Sequence, residues 1–422
     1  MRFLYSLILM LLMPVALLWF AWRTLKQTGH MDRPGERCGG SPFFPPGEII
    51  WVHGASVGEI RAAAPLVTAL HQKFPQRPIL VTSFTGAGRA QAQELFGERA
   101  VVSQLPYDLP FCVHRWLKCV SPVVGIIMET EIWPNLIAAC ERRQIPLLMV
   151  SARLSQPALQ RYRRFHSLLR SSLRRVSLIA AQTDADAECF RQLGAAPERL
   201  QVTGNLKFDV QFADELLLQG QALRRQLFDQ ASVIVAGSTR EGEEPLVLEA
   251  FRLLLAKHPD SILVLAPRHP ERAAAVAALV TAAGYVCRRR SAGGAALKSG
   301  EVLLLDRLGE LTRFYAAAEL AFVGGSLVPV GGHNLLEPAA LGLPVLTGPH
   351  LENVGDIAPI LKGAGGLTVV PDAGALGEAF IWLVGNPVTR RHIGQAAQQT
   401  VIANRGALAR TLSLIEKHIA RH

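Results

Sequence analysis

Ile49-Ile50-Trp51-Val52, then His53-Gly54-Ala55-Ser56-Val57-Gly58-Glu59, then a helix-like run to His71, is the stretch whose reading decides the fold. A short apolar run gives way to a Gly/Ser turn and then to an amphipathic stretch. The same unit recurs along the chain. Ile79–Thr82 leads into Ser83-Phe84-Thr85-Gly86, Val123–Met128 into Glu129-Thr130-Glu131, and Leu147–Val150 into Ser151-Ala152-Arg153. Further apolar runs fall at Leu178–Ala181, Val233–Ala236, Ile262–Ala266, Val302–Leu305, Leu320–Val323 and Pro344–Leu346. Alternating strand and helix signals predict α/β structure with parallel sheets and ligands at the carboxyl ends of the strands. One series ends at Val202-Thr203-Gly204-Asn205 and the next begins at Val233. The expected organisation is therefore a Rossmann-like domain over residues 48–212 and a second over 213–388, facing each other across a cleft. Helices over 389–422 are long enough to cross back to the first domain.

The amino terminus carries a different signal. Phe3 to Trp22 is an uncharged, largely apolar run, about the length that spans a bilayer as helix. Pro14 can kink such a helix without forbidding it, and Trp19 and Trp22 suit a membrane interface. Residues 1–28 are expected to be an uncleaved single-pass anchor, and the Gly- and Pro-rich residues 29–47 a linker. Arg23, Lys26, Arg33 and Arg37 follow the run, which places the body on the cytoplasmic side.

Half the residues of this 422-residue chain are hydrophobic, yet the formal net charge is +10. That combination fits an acidic partner: nucleic acid, an anionic membrane or a phosphorylated substrate. Nucleic acid is disfavoured, since no stretch interleaves aromatics with Lys/Arg. The six cysteines, at 38, 112, 119, 140, 189 and 287, form no CxxC pair and read as reduced thiols.

Chemistry concentrates in a few loops. Glu59 stands at a helix start just past a strand, where the helix dipole tends to keep a carboxylate ionised. It suits a general base for a hydroxyl, although the loop alone allows a purely capping role. Glu129 and Glu131 lie two apart at another strand end, ahead of Pro134, and read equally as an orienting charge cluster or as helix-start acids. Between Arg142 and Thr183 the chain has nine arginines and no acid. Arg153, Arg161, Arg163 and Arg164 from this run are assigned to an acceptor or membrane face that meets anionic lipid headgroups. In the carboxyl half, Arg268 follows a strand and reads equally as a clamp for a phosphate or carboxylate or as a surface ion pair. Gly324-Gly325-Ser326-Leu327 and Gly331-Gly332-His333-Asn334-Leu335-Leu336-Glu337 read as turns that offer backbone N–H groups to a phosphate. Two look-alikes are set aside. Gly86-Ala87-Gly88-Arg89-Ala90-Gln91 lacks the third glycine of a dinucleotide fingerprint, and Asp184-Ala185-Asp186 reads as a helix cap rather than a metal site. No metal-ligand set is recognisable, and neither metal nor cofactor is expected.

Taken in order, HGASVGE (53–59), METEIWPN (128–135), SARLS (151–155), TGNLKFD (203–209), AGSTREGEE (236–244), APRHPER (266–272) and GGSLVPVGGHNLLEPAALGLPVLTGPH (324–350) resemble the transferases of 3-deoxy-D-manno-octulosonic acid (Kdo). The resemblance implies a GT-B fold and transfer of Kdo from CMP-Kdo to the lipid A precursor at the inner membrane, without a metal. It implies Glu59 as proton acceptor and Glu129 and Lys207 as supports of the transition state. It gives Pro267, Arg268, Leu308, Gly309, Glu310, Asn334, Leu335, Leu336 and Glu337 to CMP; Leu308 stands where the family often has Met. Two other readings stay open at this stage: a GT-B transferase using a UDP-sugar on a membrane lipid, and a non-enzymatic membrane adaptor.

Overall fold

The structure, a computed structural model, describes residues 1–13, 34–40 and 48–420. It divides into two compact units. The first comprises Met1–Asp209 and Arg405–His422, the second Val210–Asn404.

The first unit is built on seven parallel strands: β1 (Ile50–His53), β2 (Ile79–Ser83), β3 (Val101–Gln104), β4 (Val124–Met128), β5 (Leu147–Ala152), β6 (Leu178–Ala181) and β7 (Leu200–Val202). Their order is β3-β2-β1-β4-β5-β6-β7. The sheet is apolar on both faces because neighbouring residues of each inner strand enter different cores. Ile50 and Val52 join one and Trp51 the other; Ile126 and Ile127 divide in the same way. Helices on both faces cover these side chains, as a parallel sheet requires. Gly125 is fixed by this packing, since a Cβ there would lie 2.6 Å from Leu147 Cδ1 and 2.7 Å from the Trp51 ring.

The second unit repeats the plan with β8 (Ser232–Thr239), β9 (Ser261–Pro267), β10 (Cys287–Arg289), β11 (Val302–Leu304), β12 (Leu320–Val323), β13 (Val345–Thr347) and β14 (Leu367–Val369). All are parallel, in the order β10-β11-β9-β8-β12-β13-β14. In each sheet the first strand sits between strands reached in opposite directions, β1 between β2 and β4, and β8 between β9 and β12. A crevice opens at the carboxyl ends of strands at such a reversal.

The segment boundaries differ from those read in the sequence. The first unit gives way to the second after Asp209 rather than 212. Helix Pro387–Ala403 stays in the second unit, where Gly394 lets it press against Gly342; a Cβ at 394 would lie 2.0 Å from the Gly342 carbonyl oxygen. Only helix Ala407–Ile419 returns to the first unit, burying Ala407, Ile415 and Ile419 in the core beneath β1 and β4. Part of the expected linker is not a linker. Pro34–Arg37 form a helical turn whose Glu36 and Arg37 are buried. Glu36 accepts from the Ser103 hydroxyl and the Gln104 N–H at the sheet edge, at 3.1 and 2.8 Å. Arg37 donates to the Leu105 carbonyl and lies over the Phe84 ring. The Gly/Pro composition of the segment hid this charged plug.

Among the described residues no helix is long and apolar enough to cross a membrane. Residues 2–13 are helical, and the rest of the apolar run, 14–22, lies outside the described residues. The 2–13 helix is moored to the first unit: the Tyr5 hydroxyl donates to Asp108 and the Ser6 hydroxyl to Asn135, both at 3.0 Å.

Candidate active site

Four charged side chains meet in the first unit. Glu59 comes from the helix after β1, Glu129 and Glu131 from the loop after β4, and Lys207 from a turn after β7.

The β1 loop is clamped from the neighbouring strand. The Ala55 carbonyl accepts from the Thr85 N–H, the Ser83 hydroxyl and the Thr85 hydroxyl, at 3.0, 3.0 and 3.1 Å. Gly88 lets its helix approach this loop; a Cβ there would lie 2.2 Å from the Ser83 hydroxyl. The glycines that imitate a dinucleotide fingerprint are thus packing residues. Below the loop, His53 is fully buried and bonded to Thr82, and burial pushes its pKa down to about 3, so the imidazole is neutral.

Glu59 forms a capping box with Ser56. Its Oε2 accepts from the backbone N–H groups of Ala55 and Ser56, and Oε1 takes neither bond. The capping role left open by the sequence is therefore real, and it aims the carboxylate. The helix dipole does not decide its ionisation as expected. Burial pushes the pKa up to about 7, the Glu129 charge adds to the rise, and the Ser56 and Ala55 N–H groups and Lys207 oppose it.

After β4 the chain turns through Glu129 at φ +54, the left-handed region, and the Glu129 N–H bonds the Val150 carbonyl. The Thr130 hydroxyl bonds the Arg153 carbonyl. The helix that follows, Pro134–Arg142, has Pro at its first position as the sequence suggested, but neither Glu129 nor Glu131 caps it. Buried Asp108 does, accepting from the N–H groups of Asn135 and Leu136 at 3.0 and 2.7 Å. The two glutamates are thereby released from a capping role. Burial, then the Glu59 charge, push the Glu131 pKa to about 7. Lys207 Nζ lies 3.7 Å from Glu129 Oε1, with both side chains about one quarter exposed. Glu59 and Glu129 thus face the Lys207 ammonium at the carboxyl ends of β1 and β4, with Glu131 beside them.

The arginine run divides. Arg161, Arg163 and Arg164 are exposed, next to Phe165, whose ring is also exposed. Arg153 is half-buried at the end of β5, on the loop that Thr130 holds. Arg175 pairs with Glu141. Asp184–Gln192 is a helix capped by Thr183 rather than by Asp184, and Asp186 accepts from the Leu154 N–H at 2.8 Å, a structural role for that acid.

The second unit assembles its own group. Arg268 follows β9 and its N–H bonds the Thr239 carbonyl at the end of β8. Glu337 is raised by burial and pulled back by a bond from Asn334 at 2.9 Å and by the Arg268 charge, which places Arg268, Asn334 and Glu337 together. Leu335 and Leu336 are buried in the core, so any contact they make with a ligand is through the main chain. Leu308 is exposed and Gly309 has φ +81 with open space beside it, while Glu310 is paired with Arg290 at 3.0 Å.

One expectation is overturned here. The N–H groups of Gly325, Ser326 and Leu327 are not offered to a ligand. They donate to the fully buried carboxylate of Glu243, at 2.6, 2.8 and 2.8 Å, and Arg240 N–H donates to it as well. An internal anion already occupies that nest. Glu244, equally buried, is held by Arg272 at 2.7 and 3.2 Å. The glycines stand out in the sequence, whereas nothing local to them marks an acid some 80 residues away as their partner. Among the described residues no cluster of His, Cys, Asp or Glu could hold a metal ion.

Residues 28–210 match the family model described as 3-Deoxy-D-manno-octulosonic-acid transferase (kdotransferase). The chain is 39% identical over 424 residues to the 3-deoxy-D-manno-octulosonic acid transferase of Haemophilus influenzae, covering 100% of this chain and 99% of that protein. It is 39% identical over 434 residues to the enzyme of the same name from Bordetella pertussis, covering 98% and 99%. In fold it is similar to a crystal structure of a glycosyltransferase from Rickettsia africae, with a TM-score of 0.54 at 14% identity, over 88% of this chain and 99% of that one.

Proposed function

From its place in the Kdo transferase family, to which the chain belongs, we propose that this glycosyltransferase moves Kdo from CMP-Kdo to the lipid A precursor, with Glu59 as the base. The observation that carries the reading is the group of Glu59, Glu129 and Lys207 at the carboxyl ends of β1 and β4.

The acceptor hydroxyl loses its proton to Glu59 as its oxygen bonds to the anomeric carbon of Kdo. The bond from that carbon to the CMP phosphate breaks, CMP leaves with the electron pair, and the configuration inverts. A carboxylate whose pKa lies near 7 suits this step, being both ionised and basic at neutral pH. Glu129 and Lys207 carry opposite charges beside it and would steady the oxocarbenium-like state. In the second unit Arg268 would face the CMP phosphate. Pro267, Leu308-Gly309-Glu310 and Asn334 through Glu337 would complete the nucleotide site. Arg153, held by the acid loop, is assigned to the acceptor. Arg161, Arg163 and Arg164, with Phe165 beside them, would rest on an anionic membrane. The apolar run 3–22, its first turns held on the first unit by Tyr5 and Ser6, would keep the chain at the inner membrane, its body on the cytoplasmic side.

The test is an assay of purified full-length protein with CMP-Kdo and tetra-acylated lipid A precursor, the product weighed by mass spectrometry. Transfer is expected from CMP-Kdo and not from UDP-sugars. Turnover with a UDP-sugar instead overturns the donor assignment. Near-normal turnover by Glu59→Gln overturns the base.

A further inference from the structure

The two covalent links between the units meet at one side chain. The chain leaves the first unit after Asp209 and re-enters it at Arg405. The Asp209 carboxylate accepts from the N–H groups of Gly406 and Leu408, both at 2.6 Å. It therefore caps helix Ala407–Ile419 while tying the outgoing strand to the returning one. The other end of the same turn is gripped as well. Arg410 Nε donates to the buried Thr203 carbonyl at 2.9 Å, and Gly204, at φ +93, lies where a Cβ would be 3.2 Å from that of Ala407. Between these grips, Leu206 and Phe208 are buried and the Asn205 side chain accepts from the Lys207 N–H at 3.0 Å. Lys207 is the residue of this turn that reaches Glu129.

We propose that Asp209 is a positioning residue for Lys207: by stapling the crossover to the last helix it fixes the turn that presents the ammonium to Glu129. The inference rests on the role given to Lys207 above. Glu129 faces that ammonium at 3.7 Å; the charges of Glu129 and Lys207 act on Glu59, and those of Glu59 and Glu129 on Glu131.

The test compares three variants of the full chain. In Asp209→Asn one acceptor oxygen and the negative charge are lost. Turnover is expected to fall on the order of ten- to a hundredfold, the penalty of a small misplacement, while KM for CMP-Kdo stays unchanged. Because Lys207 holds the Glu59 pKa down, its displacement moves the acid limb of the pH–rate profile to higher pH. Asp372→Ala removes a comparable cap, the bond to the Ala375 N–H at the start of helix Ala373–Gly385, and is expected to leave turnover and the acid limb alone. Lys207→Met is the third. If Lys207→Met kills turnover but Asp209→Asn keeps wild-type turnover and limb, the inference is overturned. If Lys207→Met itself turns over normally, the role assigned to Lys207 is what fails. Should Asp209→Asn not fold, Arg410→Gln, which loses the bonds to the Thr203 and Arg405 carbonyls but leaves Asp209 on the last helix, is expected to move both readouts the same way by less, and wild-type values there overturn the inference.

Discussion

Glu59 and Glu243 occupy the same place in two similar sheets and do opposite things. Each follows the first strand of its unit and stands in the first turn of the next helix, beside the reversal of strand order. Glu243 is sealed from solvent and accepts four backbone N–H groups, three of them from the loop after the strand across the crevice. Its charge is consumed in holding that loop. Glu59 accepts two N–H groups from its own turn, both on one oxygen, and feels the Glu129 charge against that of the Lys207 ammonium. A carboxylate whose two oxygens are both taken by backbone donors is structural; one that keeps an oxygen clear of them, and that burial raises toward neutrality, is suited to chemistry. Donor arrangement, and not helix position, separates the anchor from the proposed base.

The largest effect that sharpens this contrast is Glu59→Gln. Turnover is expected to fall about 10²- to 10⁴-fold, the usual worth of a general base, with CMP affinity unchanged in calorimetry. Equal losses of turnover and CMP affinity would show that the residue only shapes its loop. Next, Glu243→Gln is expected to cost about 3 kcal/mol in denaturant unfolding, because an amide nitrogen is turned toward buried N–H donors. CMP affinity should fall with it. A variant as stable as the parent would break the contrast.

The pH dependence is subtler. As the proposed base, Glu59 would act when deprotonated, so kcat/KM should fall as pH drops through about 7. Glu131 titrates in the same range against the Glu59 charge, and the two behave as a coupled pair. Removing the charge in Glu131→Gln stabilises ionised Glu59, and the acid limb should move to lower pH with turnover at pH 8 little altered. An unmoved limb would separate the two carboxylates. The smallest effect belongs to the surface. Replacing Arg161, Arg163 and Arg164 by Gln should weaken binding to vesicles containing anionic lipid by roughly 1 kcal/mol per charge, and the loss should shrink at high salt.

What the sequence could reveal follows the sheet from its centre outward. β1, β2, β4, β5 and β6 announce themselves as unbroken apolar runs because both their faces are covered. The sheet edges are quiet. Val101-Val102-Ser103-Gln104, Leu200-Gln201-Val202, Cys287-Arg288-Arg289 and Leu367-Thr368-Val369 are short and carry polar residues, and none was read as a strand. An edge strand owes its existence to the neighbour that offers it hydrogen bonds, which no local pattern records. The site obeys the same rule. Glu59, Glu129 and Lys207 were found as motif residues, but their electrostatics depend on burial and mutual distance. Asp108 is the cap of Pro134–Arg142 from 26 residues before it, and Glu36 and Arg37 close the β3 edge from a stretch that reads as linker. Glycines and helix starts advertise sites whether a ligand or an internal carboxylate fills them.

The return of the last helix sets the order in which the molecule can be made. The core beneath β1 and β4 is closed by Ala407, Ile415 and Ile419, which leave the ribosome only after the whole of Val210–Asn404. At roughly 5–20 residues per second that interval is about 10–40 s. The unit synthesised first is therefore the one completed last: throughout that time its nascent sheet waits with an open apolar seam, and the second unit, contiguous in the chain, can finish folding ahead of it.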